Sequence, residues 1–221
     1  MCQKRKTELS TEFAARYETL ARVYDPLAAL ASGGLIGRAK AYHTRFLRSG
    51  DRVLYPGVGG GGELPRAART GARPLGIDAS PSMIERARRR ATAAELRVGD
   101  VWALAAEPAS FDAVAAHFFL NLYAEVKMRQ ALRRLVHWLR PGGCIFVADF
   151  AEEGRGAARC LRSAYYAPIA AVGSAIGLAD RHPLYDYAAY FREAGVECVA
   201  RRGFGPPRGP DLYACWVGVR R

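Results

Sequence analysis

Apolar residues recur along this chain at two different periods. In the first fifty residues they fall at helical spacing: Phe13, Tyr17, Leu20 and Tyr24 share one face of a predicted helix, with Ser10 or Thr11 as its N-cap. Pro26 interrupts that helix, Ser32-Gly33-Gly34 breaks the chain again, and residues 35–47 predict a second helical stretch. From residue 52 the pattern changes. Short apolar runs at 52–56, 73–77, 96–98, 111–117 and 144–149 predict strands, and helical patterns fill the gaps between them. The clearest helices are one opened by Ser80-Pro81, an N-cap followed by proline at the first helical position, and an amphipathic one at 124–139. A last helix is expected at 185–194, then strands at 196–200 and 212–219 around a Gly/Pro-rich loop at 203–210.

Strands alternating with helices predict a parallel sheet covered on both faces. The terminal hairpin places an antiparallel strand on one edge. The expected fold is therefore α/β, with seven strands, mostly parallel, and a helical extension at the N-terminus. Residues 1–50 read as a helical cap and 51–221 as the main domain of a single compact unit. With 221 residues, half of them hydrophobic, the chain can bury a sizeable core.

Charge changes the picture only a little. The formal net charge of +12 invites a nucleic-acid reading. Its densest basic run, Arg86 with Arg88-Arg89-Arg90, lies on a predicted helix, where successive side chains diverge by about 100°. The run therefore wraps around the helix and reads as a solvated face. Five scattered cysteines, with no CxxC, support neither a disulfide framework nor a metal site and fit a reducing cytoplasm. The first ten residues lack the apolar core of a signal peptide. The weakly polar stretch 164–179 is too short for a transmembrane segment and is expected to form a buried or substrate-lining helix.

Chemistry concentrates where the first strand ends, in Gly57-Val58-Gly59-Gly60-Gly61-Gly62. Glycines there permit a tight turn and bring backbone N–H groups close to a ligand, and the following helix N-terminus favours anionic groups. Asp78 ends the next strand, twenty-one residues after Gly57, where a carboxylate can accept both hydroxyls of a ribose. The run satisfies the G-x-G-x-x-G dinucleotide pattern, so an NAD-dependent oxidoreductase is one reading. Against it stand the fifty helical residues before the first strand, Gly99-Asp100 at the end of the third, placed to accept from an adenine amino group, and Leu139-Arg140-Pro141-Gly142-Gly143 leading into a strand that ends at Asp149.

With these motifs in this order the chain resembles the class I S-adenosylmethionine-dependent methyltransferases, which have a Rossmann-like fold. Residues 53–61 look like their first motif and Gly76-Ile77-Asp78-Ala79-Ser80 like their second, and Gly99-Asp100-Val101, Phe111-Asp112-Ala113-Val114 and Leu139-Arg140-Pro141-Gly142-Gly143 complete the series. Arg22-Val23-Tyr24-Asp25 and Ser32-Gly33-Gly34-Leu35 are similar to the ubiquinone/menaquinone C-methyltransferase branch. The resemblance implies S-adenosylmethionine as cofactor. Gly57, Gly59 and Gly61 would approach its methionine portion, Asp78 and Ala79 its ribose, and Asp100 and the Val101 amide its adenine. Met83 would pack on the base, with ordinary helix packing as its other role. Tyr24, His117 and Phe118 complete the implied site. One position departs from the family: Tyr55 stands where members usually carry an acid that holds the cofactor's amino group. Tyrosine supplies no negative charge at neutral pH. Glu63, just past the glycines, is the candidate substitute, its ordinary role being to favour the helix dipole.

The implied reaction is methyl transfer to a small molecule. The cofactor carbon is already activated, so the protein's part is alignment and exclusion of water, with a base only where the acceptor must lose a proton. Candidate bases are His117, His182 and Tyr185, with Asn121, Tyr123 and Asp149 orienting; a hydrogen-bonded structural role is equally open to each histidine. His43 and His137 lie in predicted helices and look less catalytic. Tyr165, Tyr166 and Tyr185 suggest an aromatic or apolar acceptor, or a tyrosine-rich core. Other readings stay open: another or non-catalytic use of the cofactor, and an RNA methyltransferase, although no separate nucleic-acid module or Asn-Pro-Pro-Tyr motif is present.

Overall fold

In a computed structural model, residues 32–152, 156–175, 177 and 179–221 are described. Tyr24 and the first predicted helix lie outside them. The described chain forms one seven-stranded sheet in the order β3-β2-β1-β4-β5-β7-β6. Its strands are β1 (Arg52–Pro56), β2 (Arg73–Asp78), β3 (Glu95–Val98), β4 (Phe111–Ala115), β5 (Leu139–Phe150), β6 (Val196–Phe204) and β7 (Tyr213–Arg220). The helices are α1 (Leu35–Ala41), α2 (Leu64–Ala68), α3 (Pro81–Arg90), α4 (Glu125–Trp138), α5 (Ala157–Ala175) and α6 (Tyr187–Glu193). The strands β3 to β5 pair in parallel, and the terminal hairpin forms one edge, with β7 running against both β5 and β6. The sheet order reverses between β1 and β4, leaving a crevice at their C-terminal ends, the usual ligand position in such sheets.

Strand β1 shows why the sheet needs helices on both sides. Its side chains alternate between faces. Leu54 joins one core with Val114, Ile145 and the α4 residues Met128, Leu132 and Leu135. Val53 and Tyr55 join the other, with Leu64 and Ala67 of α2 and Ile84 and Ala87 of α3. Buried residues of α4 recur at helical spacing, and Glu125 pairs with Arg129 one turn on at 2.8 Å on its exposed side. Helix α3 begins as the sequence predicts: Ser80 Oγ accepts from the Met83 amide at 3.3 Å, and Pro81 occupies the first turn. Its C-terminal arginines are exposed, and Arg88 and Arg89 both face Glu85 on the same helix. Only part of the basic run is a solvated face: Arg86 is half-buried, and Arg90 donates to the Gly60 carbonyl at 3.0 Å.

Four expectations change on folding. The helix after the glycine run is five residues long, too short for a strong dipole at its N-terminus. The second predicted helix stops at Ala41 and tightens into a 3₁₀ turn, Tyr42–Arg45, which leaves His43 fully buried. Pro141-Gly142-Gly143 does not end the pairing. It lies within β5 as an irregularity, where β4–β5 register jumps from Phe111↔Leu139 to Ala113↔Cys144. Helix α5 contains Pro168 and buries none of its described residues, so the apolar stretch beginning at Ala164 is not a core helix. Its tyrosines face the β5–β7 end, where Tyr165 and Tyr213 hydroxyls meet at 2.6 Å. Among the described residues no helix is long and apolar enough to cross a membrane, and no cluster of His, Cys, Asp and Glu could hold a metal ion.

The glycine bend separates two requirements. Gly61 has φ +66°, and a Cβ there would lie 2.8 Å from the Ala87 Cβ and 2.9 Å from Leu64. Gly59 has φ +54°, but nothing lies within 4 Å of its Cβ position. Gly61→Ala should therefore destabilise the fold by about 2–4 kcal/mol, strain plus overpacking. Gly59→Ala should cost about 1–2 kcal/mol, backbone strain alone. Urea denaturation of both variants checks the order; equal losses would show that α3 does not press on the bend.

Candidate functional site

The crevice is built from the ends of four adjacent strands. Asp78, 4 % exposed, closes β2 and points at the bend that follows β1. Its Oδ2 accepts from the Gly59 amide at 2.8 Å and its Oδ1 from the Ser80 amide at 2.9 Å. The backbone is drawn in too: the Val58 amide donates to the Ile77 carbonyl at 3.0 Å, and the Gly99 amide to the Asp78 carbonyl at 2.9 Å. Thus β1, β2 and β3 are tied together at their C-terminal rim. Gly57, Gly59 and Gly61 all take positive φ, which only glycine adopts without strain. Phe119 explains one further constraint, its ring lying 2.8 Å from where a Gly57 Cβ would be.

The other implied cofactor residues divide by exposure. Asp100, just past β3, is exposed, with Oδ1 accepting from the Trp102 amide at 2.9 Å, while Val101 is buried. Ala79 is exposed beside Asp78. Met83 is 3 % exposed on the inner face of α3. Phe118 follows β4 with φ +51°, a strained conformation for a bulky residue. It is held there by its amide donating to Ala148 O at 2.8 Å. A nucleoside fits this arrangement chemically: a carboxylate beside a bend with open space at Gly59, and a second, exposed carboxylate one strand further along.

Tyr55 is not a passive replacement for an acid. It is buried, and its hydroxyl lies 2.8 Å from His43 Nε2. His43 Nδ1 lies in turn 3.0 Å from His117 Nε2. The Ala148 amide donates to His117 Nδ1 at 3.1 Å, which places the His117 proton on Nε2. His43 Nδ1 is claimed twice, by that proton and by the Lys40 carbonyl at 2.5 Å. A neutral ring can satisfy only one claim with a hydrogen bond. Burial pushes His43 down to about 4, against the smaller pull of the Lys40 carbonyl, and holds His117 well below the usual histidine range. Burial also raises Tyr55. Beside this neutral chain lies a charged pair, Lys40 Nζ to Glu63 Oε1 at 3.5 Å, with side chains 25 % and 5 % exposed. Sequence reasoning missed His43 and Lys40 as site residues, because residues on a predicted helix carry no signal of what the helix packs against.

Of the three candidate bases, His182 and Tyr185 come together and His117 lies apart. His117 is buried with both ring nitrogens engaged, which removes it as a base; it acts as a strut between β4 and β5. His182 and Tyr185 stack 4.3 Å apart, almost parallel, near Asn121. Both His182 nitrogens face backbone carbonyls, Nε2 that of Asn121 at 2.6 Å and Nδ1 that of Pro183 at 2.7 Å. The Tyr185 hydroxyl donates to Tyr123 O at 2.8 Å, and burial raises it beyond the range of a useful base. The Tyr185 hydroxyl is committed to a protein partner, whereas a neutral His182 can donate to only one of its two carbonyls. Asp149 is the carboxylate facing the same recess. It is 2 % exposed, accepts from the Tyr187 hydroxyl at 2.5 Å and the Phe150 amide at 2.7 Å, and is pushed up by burial to about 7. The recess is lined by Asn121, Asp149, Phe150, Tyr166, His182 and Tyr185, among others, and the buried Asn121 Oδ1 has no hydrogen-bond partner among the described residues.

Comparison with known proteins fixes the family. A model described as a methyltransferase domain matches residues 53–143. The demethylmenaquinone methyltransferase of Thermus thermophilus is 30 % identical over 71 % of this chain and 70 % of that enzyme. The chain belongs to the class I S-adenosylmethionine-dependent methyltransferases. The demethylmenaquinone methyltransferase of Renibacterium salmoninarum is also 30 % identical, over 70 % of this chain and 65 % of its own length. The chain spans only 31 % of a transposon-encoded relative from Streptomyces fradiae. Among solved structures, the 1,6-didemethyltoxoflavin-N1-methyltransferase of Burkholderia thailandensis, determined with 1,6-didemethyltoxoflavin and S-adenosylhomocysteine, shares the fold. Its TM-score is 0.67 at 18 % identity, covering 99 % of this chain and 89 % of that one.

The buried histidine chain gives a pH signature. In the unfolded chain a histidine takes up its proton near 6.5, whereas folded His43 does so only near 4. Between those values the unfolded state binds more protons, so this group's contribution to stability falls as pH falls. Asp149 works in the opposite sense, since its folded value lies above the ordinary 3.8 and its burial costs least in acid. A difference measurement separates the two. The stability deficit of His43→Gln relative to wild type should be largest near pH 8 and shrink by about 2 kcal/mol by pH 5. Urea titrations at both pH values check this; a constant deficit would mean that His43 does not titrate on unfolding.

Proposed function

We propose that this protein transfers the methyl group of S-adenosylmethionine to a small aromatic acceptor. The observation that carries the cofactor half is the 2.8 Å contact between Asp78 and the Gly59 amide at the sheet's C-terminal rim. It shows a carboxylate and a positive-φ bend facing one crevice, which is what recognition of a ribose beside a charged tail requires. Asp78 would hold the ribose, Asp100 and Val101 the adenine edge, and the glycine bend the methionine portion. When bound, the cofactor supplies an electrophilic methyl group on a sulfonium.

The chain's own part is to place the acceptor and exclude water. Phe118, Phe119 and Asn121 lead from the end of β4 into the aromatic recess beside Asp149. An acceptor carrying an aromatic ring and a hydroxyl suits that recess: Tyr166 and Phe150 line it with aromatic rings, and the amide of Asn121 offers a polar contact. Asp149 ionises near neutrality and is the group suited to hold or receive the acceptor's proton. The names of the Thermus and Renibacterium relatives make a quinol a natural first acceptor to try.

Calorimetry with S-adenosylhomocysteine tests the cofactor half. Wild type should bind it, and Asp78→Ala should weaken binding by about 10- to 150-fold, the scale of hydrogen bonds to a charged group. No binding by wild type, or unchanged binding by Asp78→Ala, would overturn the assignment. Transfer of labelled methyl to a panel of aromatic acceptors that includes demethylmenaquinol tests the other half. Product should form, and Asn121→Leu should lower kcat/KM about tenfold or more while leaving S-adenosylhomocysteine affinity unchanged. Binding without transfer across the panel would leave a cofactor-binding protein and remove the acceptor reading.

A further inference from the structure

Glu63 is a buried carboxylate whose local structure does not explain it. It precedes α2, yet makes no side-chain capping bond, and the helix is too short to reward a charge at its N-terminus. Its ionic partner is Lys40, brought from α1, and the pair is loose: 3.5 Å, where a direct charge-assisted N–H···O bond measures about 2.7–2.9 Å. Burying a carboxylate is costly, and so long a contact offsets that cost poorly. The pair is also well placed. Glu63 follows the glycine bend directly, and its charge acts on both His43 and Tyr55. Lys40 Nζ lies 6.0 Å from the ring centroid of Phe118, at the end of β4. The pair therefore lies near the C-terminal ends of both β1 and β4, where the crevice opens. The Tyr55 side chain at this rim is neutral and engaged with His43.

Resting on the cofactor reading above, we infer that Glu63 and Lys40 form the receptor for the amino-acid end of the cofactor. That end is a zwitterion, with an ammonium and a carboxylate on one carbon. Glu63 would pair with the ammonium and Lys40 with the carboxylate, so that a loose internal ion pair opens into two pairs with the ligand. The charge that Tyr55 lacks is thus supplied from the far side of the bend, and the segment before β1 becomes part of the cofactor site. Both are positioning and affinity residues; neither touches the reacting carbon.

Two ligands that differ only at this end provide the test. S-adenosylhomocysteine carries the amino-acid group, whereas 5′-methylthioadenosine keeps the adenosine and the thioether and lacks it. Wild type should bind the first at least tenfold more tightly by calorimetry. Glu63→Gln and Lys40→Met should each remove most of that preference by weakening S-adenosylhomocysteine about tenfold or more, with 5′-methylthioadenosine changed less than threefold. Lys40→Arg should restore part of it. Retained 5′-methylthioadenosine binding also reports a folded adenosine site in each variant. A preference unchanged in both variants overturns the inference, as does a wild type that does not distinguish the ligands, a result that needs no variant to fold. A wild type that binds neither ligand overturns the cofactor reading itself.

Discussion

The site depends on one carboxylate that serves as a brace before it serves as anything else. Asp78 accepts from Gly59 across the crevice and from Ser80 at the start of α3, so one side chain sets the bend and the next helix together. A buried carboxylate taking two backbone N–H groups is a strong arrangement, because both donors are themselves at positions where the chain offers no regular partner. The bend in turn must be glycine: Gly61 lies against Ala87, and Gly57 under Phe119. Change the carboxylate, and bend and helix start both lose their reference.

The second organising feature is the polar chain Tyr55–His43–His117, sealed between the sheet and the 3₁₀ turn after α1. Such groups are costly to bury unless bonded. Here every heteroatom has a neighbour, but the ring proton of one histidine is contested. This ties three distant segments, β1, the 3₁₀ turn and β4, into one unit beneath the crevice. The neutral chain also leaves the nearby Lys40–Glu63 charges as the strong electrostatic features of that wall.

Much of the fold was legible because local and tertiary demands agree. The apolar runs of β1 and β2, the Ser80-Pro81 helix start and the spacing from Gly57 to Asp78 each encode their role within a few residues. What depended on partners was not legible. The run 111–117 reads as one strand, but β4 stops at Ala115; Ala116 and Phe118 still bond to β5, while the chain leaves β1 to let Phe118 adopt positive φ. His43 reads as one turn of an ordinary helix, and only the fold brings it to His117, 74 residues away. The one available signal was Tyr55, a neutral side chain where a charge was expected.

That substitution bears on the chemistry as well as on binding. A strand-end acid places a negative charge below the crevice, close to where a sulfonium would lie, and in low dielectric such a charge stabilises the cation before it reacts. Tyr55 with two neutral histidines does not. If the compensating charge sits at Glu63, it is paired across to Lys40 and lies past the bend rather than at the end of β1. Stabilisation of the bound cation would then fall more than stabilisation of the amino-acid end. Interactions that hold the ground state less tightly without weakening the transition state leave less barrier to climb. On the proposed reading, the departure from the family pattern at Tyr55 shifts the cofactor's grip to its two ends, Asp78 at the ribose and Glu63 with Lys40 at the zwitterion, and removes the fixed charge at the end of β1.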